Sequence, residues 1–331
     1  MQKIDNIEIK NFKSIRHQKI EGCKRINVFV GYPNVGKSNI LEALTAIQYC
    51  KIPQGIDLRD LFRFEDAAEL FFEATVKYDG IISYNNSKSV FIKFVNKNLV
   101  QMLTSEYHED ANSIIAAAET NALDLIDVYK YEFRQNVNNK EGNSYTHLQS
   151  PFGENLFLML TENLELRKSF NKILEDYGLR LLIDKTSNSL KLLKTVDNDS
   201  IFQLPYKLLA DTLQRLFFCK TAISTNKNAV LLFEEPEAHM FPPYVSKFTS
   251  DLLYDKNNNQ FFITTHSPFV LNDLIDNLKT DELAIYIVSY KKDTGETIIN
   301  RMNEEDMHEA YQFGYDFFMN IDKFIPQEQH D

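Results

Sequence analysis

Residues 31–38 read GYPNVGKS, a match to G-x-x-x-x-G-K-[ST], and few eight-residue patterns restrict a fold as tightly. The pattern makes physical sense only between a strand and a helix. Its backbone N–H groups then turn inward around phosphates, and the helix presents its positive end to them. Both neighbours are present: INVFV at 26–30 is β-rich and apolar, and NILEALTAIQYC from residue 39 has the apolar density of a buried helix. The candidate phosphate-contacting set is therefore Gly31, Asn34, Val35, Gly36, Lys37, Ser38 and Asn39. Lys37 has the reach for the outer phosphates, and the Ser38 hydroxyl suits Mg²⁺. The competing reading is a Gly-containing surface loop that begins a helix; with 10 glycines in 331 residues, a chance match is rare.

A second stretch fits the first. VLLFEEPEAH at 230–239 is an apolar run that ends in two adjacent carboxylates, which are costly near a core unless paired or metal-bound. A phosphate-binding loop needs one acid for the metal shell and one group to orient an attacking water. Glu234 at the strand end suits the first role, and Glu235, pointing elsewhere, suits general base. The alternative is a helix N-terminus where Glu234, Glu235 and Glu237 complement the dipole, with Pro236 in the first turn. FFITTHSP at 261–268 is a third apolar strand ending in polar residues, where His266 is placed to donate to a γ-phosphate or to serve structure alone.

Strand and helix patterns alternate at both ends of the chain. IDNIEIKNF, SIRHQKI, LFFEATVKY at 70–78 and VFIKFV at 90–95 read as strands. LRLLID and LKLLKTV flank a turn, as do LAIYIVSY and ETIINRM around KKDTG. Helices are expected at 206–223 and 243–254, and from about 303 onward. Residues 103–178 read as mostly helical, broken by a loop, NVNNKEGNS, at 136–144. The expectation is an α/β core from 1–100 and 200–302, an inserted, mainly helical lobe at 101–199, and a helical tail from 303 to 331.

The net charge of −11 argues against binding nucleic acid over the whole surface. Residues 1–25, however, hold seven Lys or Arg against three acids, so a local basic surface leaves DNA open as a partner. No apolar run approaches the span of a bilayer, which excludes a membrane partner on this pattern. Cys23, Cys50 and Cys219 form no CxxC pair, and a reducing cytoplasm is the expected location.

Taken together, IEIKNFKSI, GYPNVGKSNILEAL, LLFEEPEAH and FFITTHSP, in this order, resemble the ABC-type ATPase heads of the OLD, RecF and SMC group. The likeness is nearest to stand-alone AAA-type ATPases related to OLD proteins, and it covers about 1–50 and 200–300. It implies a P-loop NTPase with a mixed sheet, binding ATP and Mg²⁺. It implies a Walker A motif at 31–38, a metal-associated acid at Glu234, a catalytic Glu235 and a switch His266. It places Phe12, Lys13 and Ser14 toward the base or ribose. It also places a segment near Asp57 to Phe64 toward the metal and the attacking water, with Gln48 and Gln54 as open candidates. The family's signature, usually with Ser and Gly, falls on LLADTLQRL at 208–216, where Ala210, Asp211 and Thr212 stand instead. Those three are the residues expected to face a partner subunit's nucleotide.

The resemblance implies an ATPase that dimerises, or forms a higher oligomer, and controls a separate nuclease or toxin chain, as in two-part bacterial defence. A nucleotide-gated scaffold with little turnover and a RecF-like DNA maintenance ATPase are the alternatives. A built-in nuclease domain is not expected, since only 65 residues follow His266.

Overall fold

The computed structural model describes residues 3–51, 57–106, 125–135, 146–195 and 200–325, with the side chains of 313–316 left aside. The chain divides into two compact units. The first comprises Met1–Lys130, Asn228–Glu235 and Gln260–Asp331; the second comprises Tyr131–Lys227 and Pro236–Asn259.

The first unit is built on two sheets. Five strands, β1 (Asn6–Phe12), β2 (Ile15–Glu21), β4 (Gly80–Tyr84), β5 (Lys88–Asn96) and β6 (Leu99–Glu106), form an antiparallel sheet in the order β2-β1-β4-β5-β6. The other sheet contains β3 (Ile26–Val30), β7 (Val128–Tyr131), β11 (Val230–Glu234), β12 (Gln260–Thr264), β13 (Leu283–Lys291) and β14 (Glu296–Arg301). Its order is β14-β13-β3-β12-β11-β7, mixed in direction. Strands β13, β3, β12 and β11 run parallel, and β14 returns antiparallel to β13. All residues of β3 and β12 are buried, as expected of strands covered on both faces.

Helix α1 (Lys37–Lys51) packs against β11 and β12 of one sheet and β1, β4, β5 and β6 of the other. That position explains why its residues from Ile40 to Gln48 are buried on every side, with no amphipathic stripe. A short helix, α2 (Leu58–Leu61), begins at Asp57, whose side chain accepts from the Arg59 N–H. After the second unit's helices, α7 (Pro268–Asn277), α8 (Glu304–Phe313) and a 3-10 segment (Gly314–Phe324) pack on one another within the first unit.

The second unit combines α3 (Leu156–Glu162), α4 (Leu164–Leu174), α5 (Asp211–Thr225) and α6 (Pro242–Leu253) with an antiparallel sheet. Its strands are β8 (Leu179–Asp184), β9 (Ser189–Thr195) and β10 (Ile201–Pro205), in the order β10-β9-β8. Phe170 of α4 and Phe217 of α5 stack with ring centroids 3.9 Å apart, among Leu160, Leu174, Leu181 and Leu192.

The structure departs from the sequence expectations in several places. The second unit begins at 131 rather than 101, because residues 101–106 complete the β5–β6 ladder. It also takes in α5 and α6, since Phe217 and Leu213 bury against α4 and the three-stranded sheet, and that sheet makes it less helical than expected. The tail from 303 belongs to the first unit. The apolar run at 70–78 forms no strand. It makes 3-10 turns at Ala67–Leu70 and Phe72–Ala74, with Glu73 and Ala74 at φ 49° and 53°. The Asn11 side chain fixes them, accepting from the Phe72 N–H at 3.2 Å and donating to the carbonyls of Thr75 and Tyr78 at 3.2 and 2.7 Å. The expected loop at 136–144 lies outside the described residues.

Candidate functional site

Because β3, β12 and β11 are parallel, their carboxyl ends open on one edge of the sheet, the edge where α/β proteins hold ligands. The loop after β3 carries residues 31–38, β11 ends at Glu234, and His266 lies two residues beyond β12. The loop, Glu235 and His266 line one cavity of about 1560 Å³ within the first unit, and Glu234 joins them through Ser38.

The glycines of the loop are there for space. A Cβ on Gly31 would stand 2.1 Å from the Val288 carbonyl oxygen, and one on Gly36 would stand 2.1 Å from Thr297 Oγ1 and 2.6 Å from Ser14 Oγ. Gly36 also has φ +96°, which side-chain-bearing residues rarely adopt. Asn34 is left-handed at φ 62°. Thr297 of β14 pins the loop by donating to the Val35 carbonyl at 2.9 Å, and shares a 2.6 Å hydrogen bond with Ser14. Asn39 Nδ2 donates to Ser14 Oγ at 2.7 Å.

Lys37 is buried, and its ammonium donates to the loop's own carbonyls, Gly31 at 3.0 Å and Tyr32 at 2.7 Å. Burial pushes its pKa down to about 8 against the opposing pull of Glu235 and Glu234. Ser38 Oγ donates to Glu234 Oε1. Two hard oxygen groups thus converge beside the lysine. They fit Mg²⁺, which takes one or two protein oxygens and completes its shell from water and phosphate. No three His, Cys, Asp or Glu among the described residues gather as an all-protein metal cage.

Glu235 takes φ 42°, a left-handed turn immediately after the strand, with its N–H donating to the Thr264 carbonyl at 3.0 Å. This turn sends its carboxylate away from Glu234 and toward His266, whose Nε2 lies 3.3 Å from Glu235 Oε1. Burial and the Lys37 charge lower the His266 pKa, while Glu235 opposes them.

The structure does not treat all expected residues alike. Ser14 lines the cavity, whereas Lys13 is turned away: its ammonium is paired with Glu42 and donates to the Arg63 carbonyl at 2.8 Å. Phe12 is fully buried, edge to face with Phe62. Gln48 is buried and accepts from the Lys130 N–H at 2.9 Å, so it is a core residue rather than a metal-facing one; Gln54 lies outside the described residues. In the second unit, Ala210 precedes α5 without a side-chain cap. Asp211 accepts from Arg215 at 2.7 Å and from Gln135 at 2.9 Å, and Thr212 Oγ1 donates to the His239 carbonyl at 2.9 Å.

Arg63, Glu42 and Thr297 were not picked out from sequence. Arg63 Nη1 lies 3.3 Å from Glu234 Oε1, while its Nε donates to Glu42 Oε1 at 2.7 Å. Glu42 carried a readable signal, a lone carboxylate inside the apolar NILEALTAI.

The sequence and fold compare with known proteins as follows. A family model described as "AAA domain, putative AbiEii toxin, Type IV TA system" matches residues 26–272. Septu protein PtuA of Bacillus mycoides (strain KBAB4) is 26% identical over 319 residues, covering 86% of this chain and 42% of that protein. DNA replication and repair protein RecF of Thermoanaerobacter sp. (strain X514) is 29% identical over 87 residues, 26% of this chain and 22% of that one. The chain spans about half the length, or less, of the first curated relatives it matches. Among solved structures, an SMC head bound to the C-terminal winged-helix domain of ScpA superposes with a TM-score of 0.57 at 16% identity, covering 92% of this chain and 99% of that one. The SMC head of Pyrococcus furiosus with an extended coiled coil also gives 0.57, at 14% identity over 93% and 98%. The shared fold is that of an ABC-type ATPase head.

Proposed function

The chain belongs to the AAA-domain family described as putative AbiEii toxin of Type IV toxin–antitoxin systems, and on that premise we propose that it is a Mg²⁺-dependent ATPase whose nucleotide state controls a separate effector. Family and fold make it an ABC-type, SMC-like ATPase head of the OLD and RecF kind. One observation supports turnover most: Lys37, Ser38, Glu234, Glu235 and His266 come together at one sheet edge within a single unit.

In this reading the loop of Gly31, Asn34, Val35 and Gly36 wraps the triphosphate, with Asn39 steadying it through Ser14 and Lys37 neutralising the outer phosphates. Ser38 and Glu234 would hold Mg²⁺, which would supply positive charge against the phosphates. Glu235 takes the proton of the attacking water, and the His266 imidazole, 3.3 Å from the Glu235 carboxylate, reports whether a γ-phosphate is present. Ala210, Asp211 and Thr212 face the nucleotide of a second copy, so ATP joins two heads. The effector is a nuclease or toxin chain in a two-part bacterial defence system, a context drawn from the family description and from the likeness to Septu protein PtuA.

A second reading, a nucleotide-gated scaffold with little turnover, draws on α5. Asp211 places a carboxylate where a partner's phosphate would approach, and it is engaged with Arg215 and Gln135. A RecF-like role on DNA draws on the relative's name alone. The basic residues of the first strands are largely neutralised in place: Lys10 and Lys19 lie 3.1 and 3.7 Å from Glu8, and Arg16 lies 3.1 Å from Glu296.

The experiment is the solution mass of Glu235→Gln with ATP and Mg²⁺. The proposal expects a stable dimer that wild type forms only transiently and Lys37→Ala never forms. A Glu235→Gln variant that binds ATP yet stays monomeric supports the scaffold instead.

A further inference from the structure

Glu42 is fully buried, yet the chemistry of the cavity makes no use of it. It lies on α1 about one turn beyond Ser38 and draws two cations from outside the helix. Lys13 pairs with it, and Arg63 donates to it twice, through Nε to Oε1 at 2.7 Å and through its backbone N–H to Oε2 at 3.2 Å. Lys13 closes the triangle at the Arg63 carbonyl, 2.8 Å away. A buried carboxylate is costly unless its charge and lone pairs are met. Here they are met largely by one residue of the 57–64 segment, so Glu42 fixes where Arg63 sits.

The far end of the same guanidinium reaches the nucleotide site. Arg63 Nη1 is 3.3 Å from Glu234 Oε1, the oxygen that also accepts from Ser38. A planar fork of donors can span two carboxylates in this way; a lysine ammonium cannot. The two cations on Glu42 differ in freedom: the Lys13 side chain is 10% exposed and that of Arg63 is 60%. Lys13 is the fixed counter-charge and Arg63 the movable one.

We infer that Glu42 is a positioning residue of the nucleotide site, holding Arg63 against Glu234 so that the guanidinium occupies the metal-associated acid until Mg²⁺ displaces it. Arg63 already lines the cavity, and once displaced from Glu234 it offers its charge to the triphosphate. Lys13 keeps Glu42 neutralised during the exchange. This inference rests on reading the cavity as an Mg²⁺–ATP site.

The test is the affinity of the full chain for a fluorescent ATP analogue, without Mg²⁺ and across an Mg²⁺ titration, for wild type, Glu42→Gln, Arg63→Gln and the double variant. Removing the competitor for Glu234 should lower the Mg²⁺ midpoint of Arg63→Gln about threefold, the scale of a solvent-accessible ion pair, and should weaken metal-free binding by a similar factor because the Glu234 charge then faces the triphosphate without its guanidinium. Glu42→Gln should move both quantities in the same directions, and the double variant should match Arg63→Gln alone. Shifts that add in the double variant, or a wild-type Mg²⁺ midpoint in Arg63→Gln, overturn the inference. If Glu42→Gln does not fold, Arg63→Lys decides. It keeps the charge but cannot bridge both carboxylates, so its midpoint should match Arg63→Gln; a wild-type midpoint overturns the role. Lys37→Ala separates the two levels. Analogue binding that survives Lys37→Ala sinks the reading of the cavity itself. Binding lost in Lys37→Ala, with no Mg²⁺ shift in Arg63→Gln, sinks only the positioning role.

Discussion

His266 carries a pH signature that its surroundings dictate. Burial and Lys37 lower its pKa below the ordinary 6.5, so at acid pH the folded chain binds fewer protons than the unfolded one. Stability contributed by this residue is intact above pH 6.5 and declines as pH falls below it. Thermal melts from pH 7.5 to 5 should show wild type losing more stability than His266→Gln; equal losses would contradict the assignment. The three cysteines give a second expectation. Burial pushes the thiols of Cys23, Cys50 and Cys219 up to about 12, so almost no thiolate exists at pH 8. Ellman's reagent should label none in the native chain and all three in denaturant. At this scale the sequence was informative where an apolar strand ran straight into carboxylates, as at Glu234 and Glu235. Arg63 was not singled out: the family resemblance pointed to the 57–64 segment, but that segment has no periodic pattern, and the partners that place Arg63, Glu42 and Glu234, come from distant parts of the chain.

Among the elements, hairpins and buried parallel strands were legible because alternation and turn chemistry agree locally, as at LAIYIVSY-KKDTG-ETIINRM. LFFEATVKY shows the opposite. It has the composition of a strand, but Asn11, itself left-handed at φ 50°, claims its backbone groups and bends it into turns. Tertiary context overrides β-propensity there. Asn11→Ala should therefore destabilise the chain by about 2 kcal/mol, the loss of several side-chain hydrogen bonds at a strained position. Denaturant unfolding measures it, and a change below about 0.5 kcal/mol would show that the turns hold without Asn11. The same reasoning explains α1, which reads as a buried helix in sequence and is buried because strands of two sheets enclose it.

Across the whole molecule, the motifs at the two ends of the sequence come together because each lies at a strand end and the parallel sheet brings those ends to one edge. The division into units was less legible. Helix α5 comes just before the core strand β11 in sequence, and it is packing, of Leu213 and Phe217 on α4 and the three-stranded sheet, that assigns it to the second unit. No helix among the described residues is long and apolar enough to cross a membrane. The account's central claim is that the site at the edge of β3, β11 and β12 turns over ATP when two heads meet. The most direct test is ATP hydrolysis against protein concentration, for wild type, Lys37→Ala and Glu235→Gln. The account predicts a rate per head that rises with concentration and falls at least about a hundredfold in either variant, the scale of losing a general base. A Glu235→Gln rate equal to wild type, or a per-head rate independent of concentration, would contradict it.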